Sequence, residues 1–286
     1  MTSSPAPVSP PVFDPIPDIR LIAADMDGTL LDDADELHEH LWPLIDELHR
    51  RGITFCPASG RQYDNLRARF EDVAGSVVFI AENGAYVIRD GLEVSSDCVD
   101  LDVVGRLVET ARDLAAGGSD IGVVVCGKRA AHIERTDPLF RAEVDKYYLS
   151  LEVIDDLTRV DDDVLKVAVF DFGSAEATTA PAFESFRSTH QVVVSGQHWM
   201  DVMSPTANKG EGIRALQRAL GVSPAQTMVF GDFLNDLEMM DAADYSFAMD
   251  NAHPLLRERA RYVAPSNAEN GVVRTISSVL GLAWSS

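Results

Sequence analysis

Short unbroken apolar runs recur along the chain: LIAA (21–24), ITFC (53–56), VVFIA (77–81), TMVF (227–230) and YSFAM (245–249). Continuous rather than alternating apolarity predicts strands buried on both faces, as in a parallel sheet. Helical periodicity lies between several of them. Leu37, Leu41, Leu44, Ile45 and Leu48 share one face before Gly52, and Ile213, Leu216 and Leu220 share another before Gly221. Strand alternating with helix predicts a doubly wound α/β domain with a parallel sheet.

The middle of the chain has a different rhythm. Leu101, Val104, Val108, Ala111 and Ala115 predict a helix, followed by strand-like IGVVVC and RAAHIE. A second helix is expected over 138–148, strands near 164–171, a helix near 174–188, and two close strands at 191–195 and 198–203. This pattern predicts an α+β domain, residues 87–203, inserted into a core made of 19–86 and 204–286. The flanks ENGAYVIRDG and MSPTANKG carry the Gly and Pro of hinges. Residues 1–18 hold six prolines and no basic residue. They read as a disordered tail, without the charged start and apolar core of a signal peptide.

Composition narrows the partners. A net charge of −22 over 286 residues argues against a nucleic-acid or anionic-membrane surface. No apolar run reaches the roughly 18–20 residues of a membrane span. Cys56, Cys98 and Cys126 form no CxxC pair, and Cys56 and Cys126 each end an apolar run. They read as core residues of a protein in a reducing cytoplasm. Oligomeric state is not legible.

Polar residues gather where strands end. The first strand ends at Asp25-Met-Asp27, the second at Ala58-Ser59-Gly60-Arg61, the third at Glu82-Asn83-Gly84, and a later one at Gly231-Asp232, with Asn235-Asp236 following. Lys209-Gly210 opens a helix just upstream of the last. In open parallel sheets, ligands bind beyond the carboxyl ends of the strands. Asp25, Asp232 and Asp236 would crowd negative charge that a cation relieves. Oxygen donors without a His or Cys cluster favour Mg²⁺ over zinc. The glycine position of a calcium EF-hand loop falls on Leu30, and neither GxxxxGK[ST] nor a strand-linked GxGxxG is present. Mg²⁺, a lysine, a serine hydroxyl and glycine amides make a phosphate receptor. A carboxylate at a strand tip is already ionised and suits a nucleophile, and Asp27 can exchange a proton with the leaving oxygen and then with water.

DMDGTLL, ASGR, NKG and GDFLND, in this order, resemble the four motifs of the haloacid dehalogenase (HAD) superfamily of phosphatases. The insert, ENGA and the segment MDNAHPLLRERARYVAPSNAENGVV are similar to the Cof type, subfamily IIB. The resemblance runs from about Ile19 to Leu282. It implies a Rossmann-like core with an α+β cap. It also implies Asp25 as nucleophile, Asp27 as acid/base, and Ser59, Gly60, Lys209 and Asn235 around the phosphate. Asp25, Asp232 and the Asp27 carbonyl would hold Mg²⁺, with Asp236 in support. The expected activity is hydrolysis of a small phosphorylated metabolite such as a sugar phosphate, through an aspartyl phosphate. A phosphosugar mutase and a non-enzymatic phospho-accepting module are the alternatives. For cap contacts the candidates are Arg129, His132, Lys146 and His198, with His198 chosen from its place at the start of HWMDVM. Asn83 is explained equally by an Asn-Gly turn, and Trp199 by the cap's core.

Overall fold

A computed structural model describes residues 8–283. Residues 8–59, 70–94 and 208–283 form one compact unit, and 60–69 with 95–207 form another. The chain opens with β1 (Leu21–Asp25), α1 (Leu41–Arg50) and β2 (Thr54–Ala58). Next come α2 (Tyr63–Arg69), β3 (Val78–Ala81), β4 (Tyr86–Arg89) and β5 (Leu92–Ser96). The second unit continues with α3 (Leu101–Ala116), β6 (Ile121–Gly127), β7 (Ala131–Ile133), α4 (Pro138–Val144) and β8 (Leu151–Val153). It ends with β9 (Val164–Asp171), the single turn α5 (Ala180–Ala182), β10 (Gln191–Val194) and β11 (Trp199–Met203). The first unit resumes with α6 (Lys209–Leu220), β12 (Thr227–Gly231), α7 (Leu237–Ala242) and β13 (Tyr245–Met249). α8 (Pro254–Arg259), β14 (Tyr262–Ala264) and α9 (Gly271–Val279) complete it.

The first unit is built on an eight-stranded sheet in the order β14-β13-β12-β1-β2-β3-β4-β5. Strands from β14 to β3 pair in parallel, and β3 with β4 is antiparallel. All five residues of β1 and all five of β12 are buried, which explains their continuous apolarity. Each fully buried Leu or Ile contributes roughly 1.5–3 kcal/mol. The register sets Asp25 opposite Ala58, so β1 and β2 end at one level. Gly221, at φ +68, closes α6 in the left-handed conformation as expected.

The second unit has a six-stranded sheet, β10-β11-β9-β6-β7-β8, antiparallel except for β7 with β8. One face packs Val125, Val167, Val169, Met200 and Val202 with Val104, Leu107, Val108 and Ala111 of α3. The other packs Val124, Cys126, Ala168 and Phe170 with Phe140 and Val144 of α4.

Several boundaries differ from the sequence reading. β4 and most of β5 belong to the first unit's sheet, so residues 87–94 fall outside the insert, while 60–69 and 204–207 join the second unit. Antiparallel pairing of β4 with β3 draws that hairpin in. Leu37 lies before α1 and bridges Leu31. On α3, Leu101 is exposed and Val103 and Leu107 are buried instead. The helix expected at 138–148 stops at Val144, where the N–H groups of Tyr147 and Tyr148 both donate to the Val144 carbonyl. The helix expected near 174–188 is split into short turns around Pro181, which lacks an N–H. The disordered-tail expectation fails for residues 8–18. Phe13 packs edge-on against Tyr245 and Tyr262, with ring centroids 5.4 and 5.3 Å away, and Ser278 Oγ donates to the Pro11 carbonyl. Residues 1–7 lie outside the described residues.

Candidate active site

The centre of the site is a buried ion network in the first unit. Lys209, the first residue of α6, is fully buried. Its Nζ donates to Asp25 Oδ1 at 2.5 Å and to Asp236 Oδ1 at 2.7 Å. The other Asp236 oxygen accepts from the backbone N–H groups of Asp232 and Phe233 at 3.0 and 3.2 Å. Asp236 is thus fully engaged, and it joins α6 to the loop after β12. Asp232 leans toward Asp25 from that loop. Thr29 Oγ1 donates to its Oδ1 at 3.1 Å, and its own carbonyl accepts from His253 N–H.

Local backbone geometry makes this convergence possible. Gly28 has φ +79, and a Cβ there would stand 2.4 Å from Asp232 Oδ2. Asn251 Nδ2 holds the Gly28 carbonyl at 2.8 Å. The Glu82-Asn83-Gly84 turn runs left-handed through all three residues. At Gly84 a Cβ would fall 2.1 Å from the Asn208 carbonyl, so this turn abuts the start of α6. The Asn83 N–H donates to the Ser59 carbonyl at 2.9 Å, and Asn235 Nδ2 donates to Asn83 Oδ1 at 3.2 Å. The Asn-Gly turn therefore also orients Asn235.

Burial and charge act together here. Burial is the main cause pushing the Asp25 carboxyl well above the usual range; Lys209 pulls it back, while Asp236 and Asp232 add to the rise. Asp232 is pushed up to about 6, by burial first and Asp236 second. Burial opposes the charge on Lys209, but Asp236 and Asp25 outweigh it and hold the ammonium protonated. Oxygens of Asp25, Asp232 and Asp236 lie within 4.8 Å of one another. This all-oxygen cluster fits a hard cation. Because Asp236 is taken by Lys209 and two backbone donors, Asp25 and Asp232 are the carboxylates left to hold one.

The remaining candidates are dispersed. Asp27 is exposed, two residues beyond the end of β1. Ser59 is buried and follows Ala58, the residue opposite Asp25. Gly60 belongs to the second unit, where its carbonyl accepts from Lys166 Nζ at 2.9 Å. The exposed side chains of Arg129 and Lys146 are ion-paired, Arg129 with the buried carboxylate of Asp162 and Lys146 with Glu143. His132 is buried, 3.6 Å from Glu152 and 3.7 Å from Asp162. Trp199 packs on Phe170, as a core residue would. His198 Nδ1 lies 2.9 Å from the Asp171 carbonyl, and its ring leans on Phe170. That contact engages one ring nitrogen, Nδ1, at the end of the strand. Thr29 and Asn251 were missed: the Thr of DGT was visible as a short polar residue beside the acids, whereas the contact from Asn251 spans over two hundred residues.

Residues 22–276 match the sequence profile of the haloacid dehalogenase-like hydrolases. A 5-amino-6-(5-phospho-D-ribitylamino)uracil phosphatase of Escherichia coli (strain K12) is 32% identical over 270 residues, covering 92% of this chain and 96% of that protein. The fold is similar to that of SMU.1108c from Streptococcus mutans UA159, with TM-score 0.82 and 23% identity over 92% of this chain and 99% of that one. It is also similar to that of the HAD subclass IIB sugar phosphatase BT4131, with TM-score 0.75 and 18% identity over 90% and 98% of the two chains. With that profile match, and with three of the four motifs meeting in one buried network, the chain belongs to the haloacid dehalogenase-like hydrolases, and among them to the Cof type.

Proposed function

We propose that the chain is a Mg²⁺-dependent phosphatase of a small phosphorylated metabolite, such as a sugar or polyol phosphate. The observation that carries this reading is the buried Lys209 ammonium bridging Asp25 and Asp236, with Asp232 alongside, at the carboxyl rim of a parallel sheet. Phosphoryl transfer asks a protein mainly for positioning and charge neutralisation. Asp25 attacks phosphorus; the new carboxylate–phosphorus bond forms as the bond to the substrate alcohol breaks. Asp27 gives that alcohol oxygen a proton and then takes one from water. Water attacks the aspartyl phosphate, releasing inorganic phosphate and restoring Asp25. Ser59, Gly60, Lys209 and Asn235 hold the phosphate oxygens, and Asp236 keeps Lys209 in place. Asp25, Asp232 and the Asp27 carbonyl would hold Mg²⁺, which when bound neutralises phosphate charge.

The relative from Escherichia coli, by its name, acts on a phosphorylated ribityl compound, which supports an alcohol of this kind. A reducing cytoplasm belongs to the same reading, with Cys56 and Cys126 buried. The test is incubation of the purified chain with phosphorylated sugars and polyols, with Mg²⁺ or with EDTA. Phosphate release with Mg²⁺ alone is expected. Isomerised sugar phosphate would identify a mutase instead, and a lasting phosphate on Asp25 a phospho-acceptor.

A further inference from the structure

Within the second unit, His132 is a buried side chain that the reaction above leaves unused. The residue is 7% exposed, and among the described residues neither Nδ1 nor Nε2 makes a hydrogen bond. A buried polar group left in that state costs its desolvation and calls for an explanation. Two carboxylates stand just beyond hydrogen-bond length of the ring, and they differ. Asp162 Oδ2, 3.7 Å from Nε2, already accepts from the backbone N–H groups of Arg129 and Ala130 at 2.9 and 3.4 Å. Its other oxygen accepts from the Asp163 N–H at 2.8 Å. That carboxylate is fixed, and its negative charge favours the ring proton on Nε2. The lone pair is then on Nδ1, facing Glu152 Oε2 at 3.6 Å. Glu152 is the register partner of His132 across the parallel pair of β7 and β8, so the two side chains rise from the same face.

Two lone-pair atoms facing each other call for a group between them, and the gap decides which. A water bonded to both at about 2.8 Å would hold them about 4.4 Å apart. A tetrahedral metal ion with bonds of about 2.0–2.2 Å holds its ligands about 3.4 Å apart. The observed 3.6 Å fits the metal, and the Glu152 side chain, 64% exposed, has room to close the difference. One imidazole nitrogen and one carboxylate oxygen suit Zn²⁺ or a similar transition cation better than Mg²⁺. Asp162 then has the place that a carboxylate holds behind a metal-bound imidazole, taking the other ring proton and setting the ring's direction. The pair opens on a cavity of about 530 Å³ lined by Glu152, Asp155, Asp156 and Asp161 together with Arg129 and Arg159, so carboxylates outnumber guanidiniums there. Both guanidiniums are themselves paired with acids, Arg129 with Asp162 and Arg159 with Asp156.

We propose that His132 Nδ1 and Glu152 Oε2 bind a divalent transition cation such as Zn²⁺, with Asp162 positioning the imidazole and water filling the rest of the ion's coordination. The ion would clip β8, the three-residue edge strand of this sheet, to β7. The inference is independent of the phosphatase reading. The test is calorimetric titration of the full chain with Zn²⁺, in excess Mg²⁺ added to fill the Asp25 cluster. Long-range ¹H–¹⁵N NMR follows the imidazole nitrogens alongside. Wild type should bind one Zn²⁺ more than His132→Gln does, and Glu152→Gln should weaken that ion by about tenfold or more. Zinc should shift the His132 Nδ1 resonance while Nε2 keeps its proton, a signature that a purely structural histidine would not give. Zinc should also raise the Tm of wild type more than that of His132→Gln. Should His132→Gln fail to fold, as judged by circular dichroism, the variant at exposed Glu152 and the ring resonances decide. Equal zinc binding in wild type and in a folded variant of either residue, or a His132 ring unmoved by zinc, overturns the proposal.

Discussion

Two lysines are buried in this protein among acids, and they are held in opposite ways. Lys209 is enclosed in the first unit by two carboxylates at 2.5 and 2.7 Å, one of them held in turn by backbone donors. Lys166, in the second unit, stands 3.9 Å from the Asp201 carboxylate and donates to the Gly60 carbonyl at 2.9 Å. A closed network fixes positions to a fraction of an ångström, which chemistry at phosphorus requires. In the second pair the carboxylate stands beyond hydrogen-bond length of the ammonium. Burial alone does not tell the two apart; the partners of the carboxylate do.

The sharpest way to break the comparison is at the closed end. Asp25→Asn removes the proposed nucleophile and should cut turnover by about a thousandfold or more, measured as phosphate release. Retention of a few per cent of activity would take Asp25 out of that role. Next in size is Lys209→Met, which leaves two carboxylates facing each other without a cation. It should lower stability by about 3–5 kcal/mol in chelator. Lys166→Met should cost clearly less in the same denaturant titration, and equal losses would dissolve the contrast.

Asp27 tests whether an exposed acid beside the closed network takes part in the chemistry. Asp27→Asn should slow phosphoenzyme formation by about 10²–10³ with a polyol ester, whose alkoxide needs a proton. With p-nitrophenyl phosphate, whose leaving group is stable as an anion, rapid-quench measurement should show a much smaller loss.

A smaller effect comes from Asp232, whose proton is held up to about 6 by burial and by Asp236. The folded chain binds that proton more tightly than the unfolded one. In chelator this group's contribution to stability therefore rises as pH falls through about 6 and is lost as pH rises through it. On the proposed reading Mg²⁺ displaces the same proton, so the rise in Tm on adding Mg²⁺ should be larger near pH 7.5 than near pH 5. The smallest change lies away from both lysines. Phe13→Ala removes two edge-on aromatic contacts and should cost about 1 kcal/mol without altering kcat.

The legible part of the molecule was the part built from buried parallel strands. Such strands are apolar throughout, so a carboxylate directly after one is conspicuous, and Asp25, Asp232, Lys209 and Asp236 could be assembled from strand tips and motifs. What stayed hidden depended on pairing across the chain. β4 and β5 join the first sheet through an antiparallel contact that alternation cannot assign. Phe13 finds two tyrosines more than two hundred residues away. On β11 the alternation was read correctly, yet it drew attention to His198 at the strand's start. The polar partner of a second buried charge was Asp201, three residues later, and only the register of β11 on β9 reveals that.

Gly28 carries a consequence for how this gene can vary. With φ at +79 and Asp232 Oδ2 standing 2.4 Å from where a Cβ would sit, the position admits one side chain, hydrogen. Every other codon would bring carbon to that point. In a library of random variants selected for activity, substitutions at 28 should be nearly absent, while those at exposed Gly91, whose Cβ would meet nothing within 4 Å, should persist wherever its left-handed turn is tolerated. A position with no chemistry of its own then marks the candidate site as clearly as Asp25 does, by the space it keeps empty for its neighbour.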